Sequence, residues 1–200
     1  MKLPALLSVG LTATVIAGCA SSEHKPVNYQ AAQSAGHTAT ADGVTVAAEA
    51  FETEAETVGA FDEDMTEVGI VPVQVLVRND TAGNIVVQRD TVQLVDAAGQ
   101  VHRPVPAVVV SEAVEDNAMA YGLLGFGIFS YASAQEANKE RTADYQAKEL
   151  AEAKIVTPGA EHGAFVYFRL PKGVDPNSGR LKLQVQHVGS NQVSTIELEL

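Results

Sequence analysis

From Gly69 to Asn79 the chain reads Gly-Ile-Val-Pro-Val-Gln-Val-Leu-Val-Arg-Asn, and Val73, Val75 and Val77 alternate with Gln74, Leu76 and Arg78. A period of two puts successive side chains on opposite faces of an extended strand, so this segment predicts a central strand. The same grammar recurs at Val44–Phe51 and Ile85–Val95, and again at Gly163–Leu170, Arg180–Val188 and Gln192–Leu200. Turn chemistry separates these runs: Asp80-Thr81-Ala82-Gly83-Asn84, Ala98-Gly99, Pro171-Lys172-Gly173, Pro176-Asn177-Ser178-Gly179 and Gly189-Ser190-Asn191. Gly83-Asn84 is expected to supply the positive φ of a tight reversal. Pro72 suits a first-residue or edge position, because it has no N–H to give a ladder. Short strands turning every 8–12 residues predict a mainly β fold, an Ig-like antiparallel β-sandwich of about seven strands.

Two hundred residues suit one domain of ordinary size. Hydrophobic residues are 46% of the chain, but aromatics are only 6% and Trp is absent, so Val, Ala, Leu and Ile must build most of the core. A net charge of −12 argues against nucleic acid as a partner. The single cysteine excludes an internal disulfide framework and any multi-cysteine metal site.

That cysteine, Cys19, closes an opening segment with one positive residue, Lys2, and an uncharged run from Ala5 to Ala17. The pattern is that of a secretory signal, too short for a comfortable bilayer span of roughly 20 residues. Ile16-Ala17-Gly18-Cys19 resembles the bacterial lipoprotein lipobox. The resemblance implies cleavage before Cys19 and acylation (palmitate among the acyl chains) of the new terminus, a firm membrane anchor. Ala20 in place of Asp implies sorting to the outer membrane. The domain expectation is therefore a signal peptide at 1–18, a lipidated N-terminus and flexible tether at 19–42, and the sandwich domain at 43–200. Gly43–Glu49, Gly69–Val75 and the return from Pro158-Gly159 to Phe165-Val166-Tyr167-Phe168 are similar to uncharacterised bacterial lipoproteins with an Ig-like body. That likeness implies the fold and transfers no catalytic residue.

The strand pattern breaks at about 105–157, read as a helical insertion. Pro106–Asp116 is expected to start a helix with Val109, Ala113 and Val114 on one side. Residues 117–135 carry no charge. Glu136–Lys154 is charged and Ala-rich, with Asp144 and Lys148 as an i,i+4 pair and a thin seam of Ala143, Ala147, Leu150, Ala151 and Lys154. Three readings of the uncharged stretch stay open: a membrane span, a buried cover for the sandwich, or a surface on which Leu123, Leu124, Phe126, Ile128 and Phe129 dock on membrane or partner. Gly122, Gly125 and Gly127 allow close backbone approach under any of them.

No phosphate-binding loop, nucleophile elbow or H-E-x-x-H motif is present. His24 and His37 fall in the expected tether, and His102, His162 and His187 beside separate strands. The acidic stretch from Asp42 to Glu67 has one expected helical turn, Phe61–Met65. Its Asp62, Glu63, Asp64 and Glu67 lack the spacing of a calcium loop and are expected to be solvated. Asp90, Asp96 and Glu112 are titratable groups that nothing in the sequence singles out. No catalytic residue, metal ligand or cofactor is assigned, and the expectation is not an enzyme but a lipid-anchored envelope protein that binds or scaffolds, in contact with the membrane and an envelope partner. The acidic edge and the apolar insertion are its expected contact surfaces. A membrane-inserting or oligomerising module on 117–135, and a hydrolase with a dispersed site, are the alternatives.

Overall fold

In the computed structural model the described residues are Val27, Tyr29, 36–124, 131–190 and 192–200, with the backbone alone for 118–124, 131–135 and 137. They form a mainly β structure of two antiparallel sheets with a helical insertion. The first sheet orders β1 (Thr38–Ala41), β2 (Val44–Ala50), β3 (Ile70–Asn79) and β8 (Glu161–Arg169) as β1-β2-β3-β8. The second is built on β9 (Arg180–His187). One edge of β9 pairs with β10 (Val193–Glu199). Along the other, β4 (Ile85–Val87) and β5 (Gln93–Val95) follow one another. β7 (Lys154–Val156) pairs β4, and the two-residue β6 (Val101–His102) pairs β5.

The inner faces meet in one aliphatic core. Val44, Val46 and Ala48 of β2, Val73, Val75 and Val77 of β3, and Ala164, Val166 and Phe168 of β8 face Leu94, Leu181, Leu183, Val185, Ile196 and Leu198. The alternation of β9 and β10, buried inside and exposed outside, is what a sheet with one wet face requires. β3 differs: eight of its first eight residues are buried, including Gln74 and Leu76. Its outer face is covered in two parts: a third layer of helices lies over the Ile70 end, and Tyr29 packs on Leu76 and Ala47. α1 (Glu54–Phe61), α2 (Ala107–Leu124) and α3 (Tyr131–Lys148) bring Ala60, Phe61, Ala107, Val110 and Tyr145 onto Ile70, Phe165 and Tyr167.

Several sequence expectations change here. Among the described residues strands number ten, because β1 lies inside the segment expected as tether and short pieces such as β6 carry no run of their own. The two-residue Asp42-Gly43 connection has positive φ at both residues, 49° and 76°, as the hairpin between Ala41 and Val44 demands. Gly83-Asn84 has no positive φ. That turn is shaped instead by Asn79, whose Nδ2 donates to the Gly83 carbonyl at 2.8 Å. Pro72 sits within the central strand, opposite Tyr167. Its carbonyl accepts from Phe51 N–H, so its missing donor points to the side where β2 has already ended.

The acidic stretch holds a full helix, α1, in place of one turn at Phe61–Met65. Thr53 and Glu56 form a capping box, with Thr53 N–H donating to Glu56 Oε2 at 2.9 Å and Glu56 N–H donating to Thr53 Oγ1 at 3.3 Å. Asp62, with φ of 63°, ends the helix. α3 stops at Lys148, and its buried positions are Tyr145 and Lys148, whereas Ala143, Ala147 and Ala151 of the expected seam are exposed. One tyrosine buries more apolar area than any one of these alanines, and it sets the helix phase. On α2 the buried face is Ala107, Val110, Ser111 and Val114, with Val109 and Ala113 half-buried.

Candidate functional site

The insertion is an antiparallel pair of 18-residue helices, each about 27 Å long. Its root is fixed on the first sheet. Phe61 sits at the centre of an aromatic cluster, edge-on to Phe165 at 4.9 Å, Tyr145 at 5.7 Å and Tyr167 at 5.8 Å. Tyr167 Oη donates to the Tyr145 carbonyl at 3.0 Å. Lys148 is buried, with Nζ 2.6 Å from Asp144 Oδ2, 2.7 Å from the Ala60 carbonyl and 5.1 Å from the Phe61 ring centre. It thereby satisfies a carbonyl at the C-terminal end of α1, where a cation is favoured. Burial pushes the Tyr145 and Tyr167 hydroxyls up from the usual phenol range.

Polar ties fasten the same root. Glu149 Oε1 accepts from Ala107 N–H at 2.9 Å, at the start of α2, and pairs with Arg89 Nη1 at 3.0 Å; only 12% and 11% of the Arg89 and Glu149 side chains are exposed. Ser111 and Thr142 hydroxyls meet at 2.7 Å between the two helices. Arg141 Nη2 donates to Glu63 at 2.7 Å and Asn117 Nδ2 to Glu67 at 3.0 Å. Two acids expected to be solvated are thus bonded to the insertion, while Glu49, Glu52 and Glu54 remain exposed. The buried side chains described on α2 all fall between Ala107 and Val114, in its first half. Of the expected docking residues, Leu123 and Leu124 belong to the last turn of α2, with side chains outside the described residues. Phe126, Ile128, Phe129 and Cys19 lie wholly outside them. No helix among the described residues is long and apolar enough to cross a membrane.

Two histidine clusters emerge that the sequence left scattered. In the β5–β6 turn, Asp96 Oδ1 accepts from Ala98 and Gln100 N–H groups at 3.0 and 2.8 Å, and Oδ2 lies 2.9 Å from His102 Nε2. The His102 bond, then the two amides, hold the Asp96 carboxyl below the usual carboxylate range. Where β1 meets β10, Ser194 Oγ donates to Asp42 Oδ2 at 2.5 Å and lies 2.8 Å from His187 Nε2. These are the residue types of a nucleophilic triad in another order. The serine is in the middle, its one proton is given to the carboxylate, and its side chain is buried. His162 stands apart from both; burial and nearby Lys154 lower its pKa.

The described residues also form a cleft of about 550 Å³ along β2 on the edge that β1 leaves open. Ala47, Ala48, Glu49 and Ala50 of β2 line it, and Gln74 and Leu76 extend it onto β3. Glu49, Glu56, His37 and Asn177 supply its polar groups, and Leu200 closes one end. Gln74 stands directly opposite Glu49 in the ladder and is 7% exposed. Among the described residues no hydrogen bond reaches its amide. The amide is not sealed, however: it opens onto the cleft. No sequence signal pointed to this cleft, because small residues on a strand look alike whether they pack or line a hollow.

No family model matches the chain, and no curated protein matches it. Among solved structures it is similar to the yjhA protein from Bacillus subtilis, at 11% identity and a TM-score of 0.43, over 80% of this chain and 95% of that one. A likeness of that degree carries no argument about what this chain does.

Proposed function

We propose that the chain is a lipid-anchored cell-envelope protein with a binding or scaffolding role, held by acyl chains on Cys19 and presenting the α2–α3 hairpin as its contact element. The observation that carries this reading is the asymmetry of the hairpin. Its root is locked by buried aromatics and the Glu149–Arg89 pair, while the end of α2 and the start of α3, 118–124 and 131–135, are uncharged. A long helical pair anchored at one end positions its far end at a fixed distance from the sandwich, as a contact arm requires. The lipobox and Ala20 support anchorage in the outer membrane, facing the periplasm or the surface. The charge of −12 means that attraction to anionic headgroups is absent, so contact through the hairpin is apolar.

Flotation of cell envelopes tests the reading in two steps. The full chain and a form lacking residues 118–134 should both float with membranes through Cys19. Cys19→Ala should release the body into the soluble fraction while a cross-linkable partner is still captured through the hairpin. Floating of the Cys19→Ala protein only when 118–134 is present would make the hairpin a second membrane anchor instead. Equal partner capture with and without 118–134 would remove the hairpin from the contact.

A further inference from the structure

We infer that the cleft along β2 is a binding site for a compact aliphatic amine. This inference is independent of the lipid anchor and of the hairpin. Glu49 and Glu56 bring two carboxylates to the cleft, and no Lys or Arg lines it among the described residues, so an occupant of opposite charge is favoured. Glu56 Oε2 is already committed to Glu52 N–H, Thr53 N–H and the Thr53 hydroxyl, which holds that carboxylate in place. Glu49 has no such ties and is free to turn to a ligand. Gln74, 93% buried and without a partner among the described residues, presents an acceptor and two donors to the same space. An ammonium group meets that acceptor, and its charge is shared with Glu49 across the ladder. Ala47 and Leu76 on the outer face, with Leu200 also in the lining, give a short methylene chain apolar contact. The volume of about 550 Å³ falls within the range of small-molecule pockets, roughly 300–1,000 Å³.

The Gln74 amide is not sealed: it opens onto the cleft, where water meets it in the empty protein and a ligand takes the water's place. Leucine at this position keeps the buried chain and loses only the amide, so binding should fall while stability holds. Titration calorimetry with 1,4-diaminobutane, and with uncharged 1,4-butanediol as control, tests the site on the full chain, and thermal unfolding is followed on the same samples. The expected result is saturable one-to-one binding of the diamine and none of the diol. Glu49→Gln should weaken the diamine at least tenfold with an unchanged melting temperature, and Glu152→Gln, exposed and outside the cleft lining, should change nothing. Gln74→Leu should weaken it at least tenfold while the melting temperature holds or rises. Comparable binding by all three variants would mean diffuse attraction to an acidic surface, and would overturn the inference. So would absence of saturation in the unaltered protein, or a fall in melting temperature for Gln74→Leu.

Discussion

Asn79 is fully buried at the end of β3, and its side chain joins three segments. Its Nδ2 donates to the carbonyls of Gly83 and Val156, and its Oδ1 accepts from the N–H and hydroxyl of Thr81. The Val156 bond crosses to β7 in the other sheet, so one amide shapes a turn and ties the sandwich together. Asn79→Ala should cost about 3 kcal/mol in urea unfolding, because partners on both sheets lose their bonds at once. Tyr145 is the converse case. Its hydroxyl is the one sealed side-chain polar atom without a hydrogen bond among the described residues. Tyr145→Phe should keep full stability or gain up to about 1 kcal/mol in the same assay, since the ring stays and an unmet hydroxyl goes. Asp96 sets a pH dependence. Its carboxyl titrates lower in the folded chain than in the unfolded one, so its contribution is present above the ordinary carboxylate range of about 4. That contribution is lost as pH falls through the depressed folded value. Stability of the unaltered protein and of Asp96→Asn should differ at neutral pH, begin to converge at about pH 4 and meet only below the depressed folded value, in parallel denaturation curves.

At the scale of elements, legibility followed how local the determining physics is. The strands β2, β3, β8, β9 and β10 were readable because a period of two is written into their residues. The i,i+4 pair Asp144–Lys148 was also readable, although the structure adds a second job for Lys148 on the Ala60 carbonyl. The start of α1 was present in Thr53-Glu54-Ala55-Glu56 as a capping-box spacing, yet the density of acids obscured it. What could not be read was which faces are covered. Gln74 and Leu76 look solvent-facing by alternation, yet both are buried, Leu76 against Ala47 with Tyr29 packed on the pair. The phase of α3 was misread for the same reason: alanines mark a helix former, and tertiary packing chose Tyr145. The root of the insertion depends on Glu149, which lies just beyond α3 and closes the start of α2. Arg89→Ala should destabilise the chain by about 2 kcal/mol, less than for a wholly buried ion pair because both side chains retain some exposure. Amide hydrogen exchange should then quicken in the first turn of α2 before it quickens in β3.

For the whole molecule, three layers divide the labour. The second sheet keeps a wet outer face, and the helices cover part of the first sheet's outer face and make it a platform from which the α2–α3 pair extends. A body with a charge of −12 has little affinity of its own for an anionic membrane, so the proposed anchorage rests on Cys19. Intact-mass analysis of the protein extracted from membranes tests that claim most directly. The account predicts a chain beginning at Cys19 and heavier than its amino acids by a diacylglyceryl group and a further acyl chain. A chain whose first residue is any other, or a Cys19 terminus of unmodified mass, would contradict it.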